Sequence, residues 1–93
     1  MSNLKRIQEI RSRLEASFSP SQLDVIDDSH LHVGHAGAKS GAGHFTVKIA
    51  SEELNQHPRL NRHRLVKEAL ADMFTTEIHA LSIKILPTTR TQE

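Results

Sequence analysis

Apolar residues switch between a helical and a strand spacing along this chain, and that succession constrains the fold more than any other feature. The first series has a spacing of three and four residues and comprises Leu4, Ile7, Ile10, Leu14 and Phe18. It predicts an amphipathic helix that Ser2 or Asn3 can cap. We expect this helix to end at Ser19, because a residue that precedes proline disfavours the helical conformation.

Three later segments, 22–28, 44–50 and 77–86, show the two-residue alternation of β-strands. Their apolar faces comprise Leu23 and Val25 in the first strand, Phe45, Val47 and Ile49 in the second, and Leu81, Ile83 and Ile85 in the third. The same alternation places His79 on the apolar face of the third strand, at its N-terminal end. There it is either a histidine at the rim of the core or a ligand.

Helical spacing returns between the second and third strands. A short helical turn is expected over 51–56 and a longer helix over 59–74, with an apolar stripe of Val66, Ala69, Leu70, Met73 and Phe74. The order of elements predicts one α+β domain over 1–93, with helices packed on one face of a small sheet. The polar residues 88–93 are expected to fray.

Composition excludes several classes of function. Lys and Arg number 12 and Asp and Glu number 11, so the net charge of +1 gives no general attraction to nucleic acid. The absence of cysteine excludes disulfides, a cysteine nucleophile and an all-cysteine metal site. The sequence also lacks an apolar run long enough for a membrane helix and the apolar core of a secretory signal. We therefore expect a cytoplasmic protein without a membrane partner.

The segment 29–43 contains all four glycines of the chain, together with His30, His32 and His35. A long segment without regular structure in a small domain is usually functional or mobile, so a mobile loop is predicted here. His32 and His35 lie three residues apart, and the glycines allow the backbone to turn both imidazoles toward one point. Because imidazole is a common metal ligand, the spacing fits either a ligating pair or two solvated side chains.

A second candidate is the basic part of the long helix, formed by Arg59, Arg62, Arg64 and Lys67. Such a cluster can contact phosphates. No aromatic platform for bases accompanies it, so a solvated helix face is the simpler interpretation.

Four blocks of the sequence together resemble the BolA family. They are Asp-Asp-Ser-His-Leu-His at 27–32, Gly-His-Phe-Thr-Val-Lys-Ile at 43–49, Asn-Arg-His-Arg-Leu-Val at 61–66 and Ile-His-Ala-Leu-Ser-Ile at 78–83. The blocks occur in the order and spacing of the family. The resemblance implies an αββααβ, class II KH-like fold, in which helices pack on a mixed three-stranded sheet.

The resemblance also implies a non-enzymatic role. BolA-like proteins pair with monothiol glutaredoxins and share a [2Fe-2S] cluster with them, in cluster trafficking or iron sensing. The glutaredoxin cysteine and glutathione supply the ligands on one side. The invariant histidine of the family falls on His79, and the second ligand comes from the loop between the first two strands. Here that second ligand is His32 or His35, and the position relative to Asp27 favours His32.

Two alternatives stay open beside cluster sharing. Some BolA-like proteins are described as transcription regulators, and the helices at 51–56 and 59–74 could imitate a helix-turn-helix. In that case DNA would be contacted by Arg59, Arg62, Arg64 and Lys67. The other alternative is an adaptor that docks glutaredoxin through surface complementarity, without a cluster.

Overall fold

The computed structural model describes residues 2–29, 42–74 and 76–88. Its elements in chain order are α1 (Asn3–Phe18), β1 (Gln22–Asp27), β2 (Gly43–Ala50), α2 (Glu52–Asn55), α3 (Arg59–Ala69) and β3 (Ile78–Ile85). This order confirms the predicted αββααβ plan. Most of the predicted loop, including His32 and His35, and all but the first residue of the predicted frayed tail lie outside the described residues.

Helix α1 begins and ends as its sequence predicts. The Ser2 hydroxyl accepts a hydrogen bond from the Lys5 amide at 3.2 Å, and Ser19 closes the helix in the left-handed conformation, with a φ of 43°. Ile10 and Leu14 of the apolar series are fully buried, whereas Leu4 remains 65% exposed. In the part of the chain that the structure describes, no helix is long and apolar enough to cross a membrane.

The sheet has the strand order β1-β2-β3 and is mixed. β1 pairs with β2 in antiparallel orientation, and β2 pairs with β3 in parallel orientation, so that Val25, Val47 and Ile83 lie side by side. The three helices cover one face of the sheet and enclose an aliphatic core. Its buried members are Ile10, Leu14, Phe18, Leu23, Phe45, Val47, Ile49, Leu54, Val66, Leu70, Met73 and Ile78.

Helix α3 ends earlier than its apolar stripe predicts. The α-helix stops at Ala69, and a 3₁₀ turn over Ala71–Met73 follows, so the predicted helix over 59–74 is wrong in its last turn. The Leu70 amide donates to the Lys67 carbonyl, three residues back, at 3.1 Å, which tightens the backbone. Leu70 and Met73 are buried nevertheless, because positions three residues apart share a face in both types of helix.

A bulge in β3 changes the position of His79. Gly43 pairs with Ile78 and His44 pairs with Ala80, so His79 is an extra residue without a partner position on β2. Ile78 is fully buried, and His79 and Ala80 are exposed. The prediction that His79 shares the apolar face of Leu81 is therefore wrong, because the bulge resets the alternation between these two residues.

Candidate functional site

Two histidines meet where β2 and β3 begin. The rings of His44 and His79 lie with their centroids 5.0 Å apart and their planes tilted by 42°. His44 is only 7% exposed, whereas His79 is open to solvent. Because parallel neighbouring strands start at the same edge of a sheet, the first residues of β2 and β3 lie side by side. The result is one buried and one accessible imidazole in contact.

The backbone beneath these imidazoles is fixed from both sides. The Gly43 amide donates to the Glu77 carbonyl at 3.0 Å, on the side of β3. On the side of β1, the His44 amide donates to the Ser29 hydroxyl at 3.0 Å, and the His44 carbonyl accepts from the Asp28 amide at 2.8 Å. Ser29 and Ala42, which flank the segment 30–41, therefore both lie next to the histidine pair.

Gly43 is at this place because no side chain fits there. A Cβ at this position would lie 2.6 Å from two ring atoms of Phe45 and 3.2 Å from the Ser29 hydroxyl. Phe45 is 2% exposed and belongs to the core, so its ring has little room to move away. The glycine thus allows β2 to approach Ser29 closely, immediately before His44.

Charged side chains tie helix α1 to the entrance of β3. Arg6 is 9% exposed and donates from Nε to Glu77 Oε1 at 2.8 Å and from Nη1 to Asn3 Oδ1 at 2.7 Å. Asn3 in turn donates to the Asp27 carboxylate at 2.9 Å, at the end of β1. The hydrogen bond from Arg6 holds the pKa of the Glu77 carboxyl below its usual value. This network fixes the residues directly before His79.

The structure places one predicted ligand and adds a histidine that sequence reasoning missed. His79 lies at the histidine pair, whereas the structural positions of His32 and His35 remain untested, because both lie outside the described residues. His44 is not among the predicted ligands, although a parallel pairing of β2 with β3 would have brought the first residues of both strands together. Within residues 2–29, 42–74 and 76–88, no cluster of three or more potential metal-ligating side chains is present.

Comparison with known proteins decides the family. A family model described as BolA-like protein matches residues 14–91. The chain belongs to this family. It is 38% identical over 81 residues to a putative BolA-like protein of Caenorhabditis elegans, and the match covers 87% of this chain and 72% of that protein. It is 37% identical over 76 residues to the DNA-binding transcriptional regulator BolA of Escherichia coli, which covers 82% of this chain and 70% of that protein.

Solved structures agree with the BolA-like assignment. The BolA domain of SufE1 from Arabidopsis thaliana has a TM-score of 0.77 and 33% identity, and it covers 92% of this chain and 95% of that domain. BolA1 from Mus musculus has a TM-score of 0.68 and 36% identity, covering 87% of this chain and 63% of that one. The chain spans only 22% of the whole SufE-like protein 1 of Arabidopsis thaliana, to which it is 37% identical.

The basic residues of α3 in this BolA-like chain do not form one surface. Arg59 and Arg62 line a cavity beside β3. Arg64 and Lys67 line a separate, shallow depression next to Phe74, and Arg64 Nε lies 3.8 Å from a Glu68 carboxylate oxygen. Arg62 and Arg64 are two positions apart, which is about 200° around a helix. The four predicted DNA-contacting residues are thus divided into two pairs.

Proposed function

We propose that this BolA-like chain is a non-enzymatic partner of a monothiol glutaredoxin and shares a [2Fe-2S] cluster with it, in cluster trafficking or iron sensing. The observation that carries the proposal is the solvent-exposed His79 in ring contact with His44. An accessible imidazole on a fixed strand end is available to a metal that arrives on another protein. The adjacent core and the Arg6–Glu77 ion pair support its position.

The donor set of this corner suits one side of a shared cluster. The chain has no cysteine, so any ligands that it contributes are imidazoles. Histidine replaces cysteine on one iron of Rieske-type [2Fe-2S] centres and raises their reduction potential. With two imidazoles from this chain, the glutaredoxin cysteine and the thiol of glutathione would complete the site. Ligation by imidazole also requires the neutral form, so binding of the cluster should weaken in acid.

The second imidazole comes from one of two places. His44 is in contact with His79 but is largely buried, so ligation through it requires its ring to turn outward. The segment 30–41 begins and ends beside the pair, at Ser29 and Ala42. His32 is three residues beyond Ser29 in the sequence, whereas His35 is six. We therefore keep His32 as the favoured second ligand, with His35 and His44 as the alternatives.

The proposal is tested by anaerobic titration of cluster-loaded monothiol glutaredoxin with this chain in the presence of glutathione. Visible absorption and circular dichroism should report a new cluster environment that saturates at one chain per glutaredoxin. His79→Ala should abolish the change. Single replacements of His32, His35 and His44 by alanine then identify the second ligand as the one whose loss changes the spectrum most.

A matched control is available in His63, an exposed imidazole on α3. His63→Ala should leave the titration unchanged. An unaltered cluster spectrum after His79→Ala would contradict the proposal. Binding of the two proteins without any spectral change would instead favour the adaptor that needs no cluster.

A second candidate function is regulation of transcription through DNA. It is supported by the name of the Escherichia coli relative, a DNA-binding transcriptional regulator. If it applies here, binding of duplex DNA should weaken steeply with salt. Replacing one of the residues Arg59, Arg62, Arg64 or Lys67 should reduce the logarithmic salt slope by about one unit for each phosphate that is no longer neutralised. Unchanged slopes in all four variants would exclude this mode of binding.

A further inference from the structure

A cavity of about 740 Å³ lies at the other end of β3, between the C-terminal half of that strand and the start of α3. Arg59, Arg62 and His63 line it from the helix, and residues 83–88 line it from the strand and the chain beyond. Two further lining residues are joined by a hydrogen bond of 3.3 Å, which the Asn55 side-chain amide donates to the Thr88 hydroxyl. This volume lies in the range of small-molecule sites.

The described residues that line this cavity carry positive charge and no negative charge. Arg59, Arg62 and Lys84 contribute three positive charges, and none of the described residues that line the cavity is acidic. Across the described ranges of the chain, the ion pairs are made by Arg6, Arg11, Arg13 and Arg64, and none involves the three cavity cations. In a chain with nearly equal numbers of acidic and basic residues, this cavity is a local concentration of positive charge.

Hydrogen bonds to the backbone hold two of the lining side chains in place. Arg62 donates from Nε to the His57 carbonyl at 2.9 Å and from Nη2 to the Asn55 carbonyl at 3.1 Å. His63 Nε2 lies 3.1 Å from the Ile83 carbonyl, which can only accept, so Nε2 carries the hydrogen. The Arg62 guanidinium is therefore positioned before a ligand arrives and keeps further N–H groups for it.

The floor of the cavity is apolar. Ile83, Ile85 and Leu86 line it and are half-buried. Alternation along β3 puts Lys84 on the opposite face from Ile83 and Ile85, so the cations above this floor are the two guanidinium groups of α3. Two guanidinium groups match a group with two charges and several peripheral oxygens better than a single carboxylate. A ligand that carries a phosphate and an organic body would place the phosphate at the cations and the body on the aliphatic floor.

We propose that the cavity between α3 and β3 binds the phosphate group of a nucleotide-sized ligand through Arg59 and Arg62. The phosphate can belong to a free nucleotide or to a nucleic acid strand, and the chemistry of recognition is the same. This site is separate from the histidine pair, and the proposal does not depend on cluster sharing.

The test is an NMR titration of the full, isotope-labelled chain with adenosine 5′-monophosphate, with adenosine as the matched probe that lacks the phosphate. We expect saturable shifts of the backbone amides of 55–63 and 83–88 with the nucleotide, and none with adenosine. A parallel titration with an oligothymidylate identifies the source of the phosphate. Tighter binding of the oligonucleotide at the same residues indicates a strand, and equal affinity per phosphate indicates a free nucleotide.

Conservative variants distinguish binding in this cavity from a general effect of the positive charge of the chain. Arg59→Gln should weaken binding of the nucleotide by about fivefold or more, because it removes a charge-assisted hydrogen bond. Lys67→Gln removes the same charge from the same helix outside the cavity and should have no such effect. Neither Arg59 nor Lys67 is buried, and circular dichroism checks that both variants fold.

Three results would overturn the proposal. The first is the absence of saturable shifts at these residues with the nucleotide. The second is equal binding of adenosine, which would make the phosphate irrelevant. The third is an equal loss of affinity in Lys67→Gln and Arg59→Gln, which would reduce the effect to the overall charge of the chain.

Discussion

The two ends of β3 differ in packing and in charge. At the N-terminal end, Gly43 leaves no room beside the Phe45 ring, and a buried imidazole touches an exposed one. At the C-terminal end, Arg59 and Arg62 line an open cavity whose described lining contains no acidic residue. One strand thus presents imidazole nitrogens beside a tightly packed base at one end and permanent cations beside an open cavity at the other. Substitutions at the first end should therefore affect stability more than those at the second.

The largest expected effect is a separation of the two proposed activities. His79→Ala should abolish the spectral change of the glutaredoxin cluster and leave the affinity for adenosine 5′-monophosphate unchanged. Arg59→Gln should do the reverse, with a loss of nucleotide affinity of about fivefold or more. Both variants are measured by the same two titrations. Loss of both activities in either variant would show that the two ends of β3 form one site.

Gly43→Ala tests the packing of the N-terminal end. We expect a loss of about 2 kcal/mol or more in the free energy of unfolding, because the new Cβ overlaps the buried Phe45 ring. Urea denaturation followed by circular dichroism measures it. Phe45→Leu alone should lower the free energy of unfolding because it leaves a cavity. In the Phe45→Leu background, however, Gly43→Ala should cause almost no further loss. Full additivity of the two losses would mean that the ring is not the obstacle.

Much of this fold could be predicted from local patterns. The alternation of Phe45, Val47 and Ile49 defines β2, and the spacing of Ile10, Leu14 and Phe18 defines the buried face of α1. Each pattern depends on which face of a single element packs against the core. The spacing of apolar residues in the local sequence is enough to identify that face. The end of α3 could not be predicted in this way. The backbone changes there from hydrogen bonds over four residues to hydrogen bonds over three, but Leu70 and Met73 stay on the same buried face, so the apolar pattern does not show the change.

The candidate site depends on contacts that no local pattern contains. The bulge at His79 arises from the pairing of Gly43 with Ile78, two residues that are distant in sequence. The ion pair of Arg6 with Glu77 joins side chains that are 71 positions apart. His44 could have been found only by combining the resemblance, which implies a mixed sheet, with the rule that parallel neighbours begin at the same edge.

Acid should weaken the network before His79 in the metal-free protein. Pairing with Arg6 lowers the pKa of Glu77 below its usual 4.5, so the unfolded state takes up this proton more readily than the folded state. The stabilisation is therefore present above that value and is lost as the pH falls through the lower pKa of the folded state. Denaturation of wild type and Arg6→Met should show a stability difference that shrinks toward low pH.

The exposed pair of Arg11 with Glu15 provides the control for this acid effect. At neutral pH, Glu15→Gln should destabilise the protein less than Arg6→Met, because it removes an exposed ion pair, which contributes little, and leaves the hydrogen bond from Arg11 Nη1 to the Leu23 carbonyl in place. The stability difference between wild type and Arg6→Met should change between neutral pH and a pH below the usual pKa of a carboxyl. A constant difference over this range would contradict a role for the Glu77 charge.

The smallest expected effect concerns His63 at the C-terminal end of β3. His63→Ala removes the hydrogen bond to the Ile83 carbonyl, but His63 is exposed and water can replace its ring nitrogen. The loss in the free energy of unfolding should be about 0.5 kcal/mol. His57→Ala, at another exposed histidine, is the matched control and should have no measurable effect. A loss in His63→Ala as large as that of Gly43→Ala would show that the two ends of β3 are packed equally tightly, and the contrast between them would then be one of charge alone.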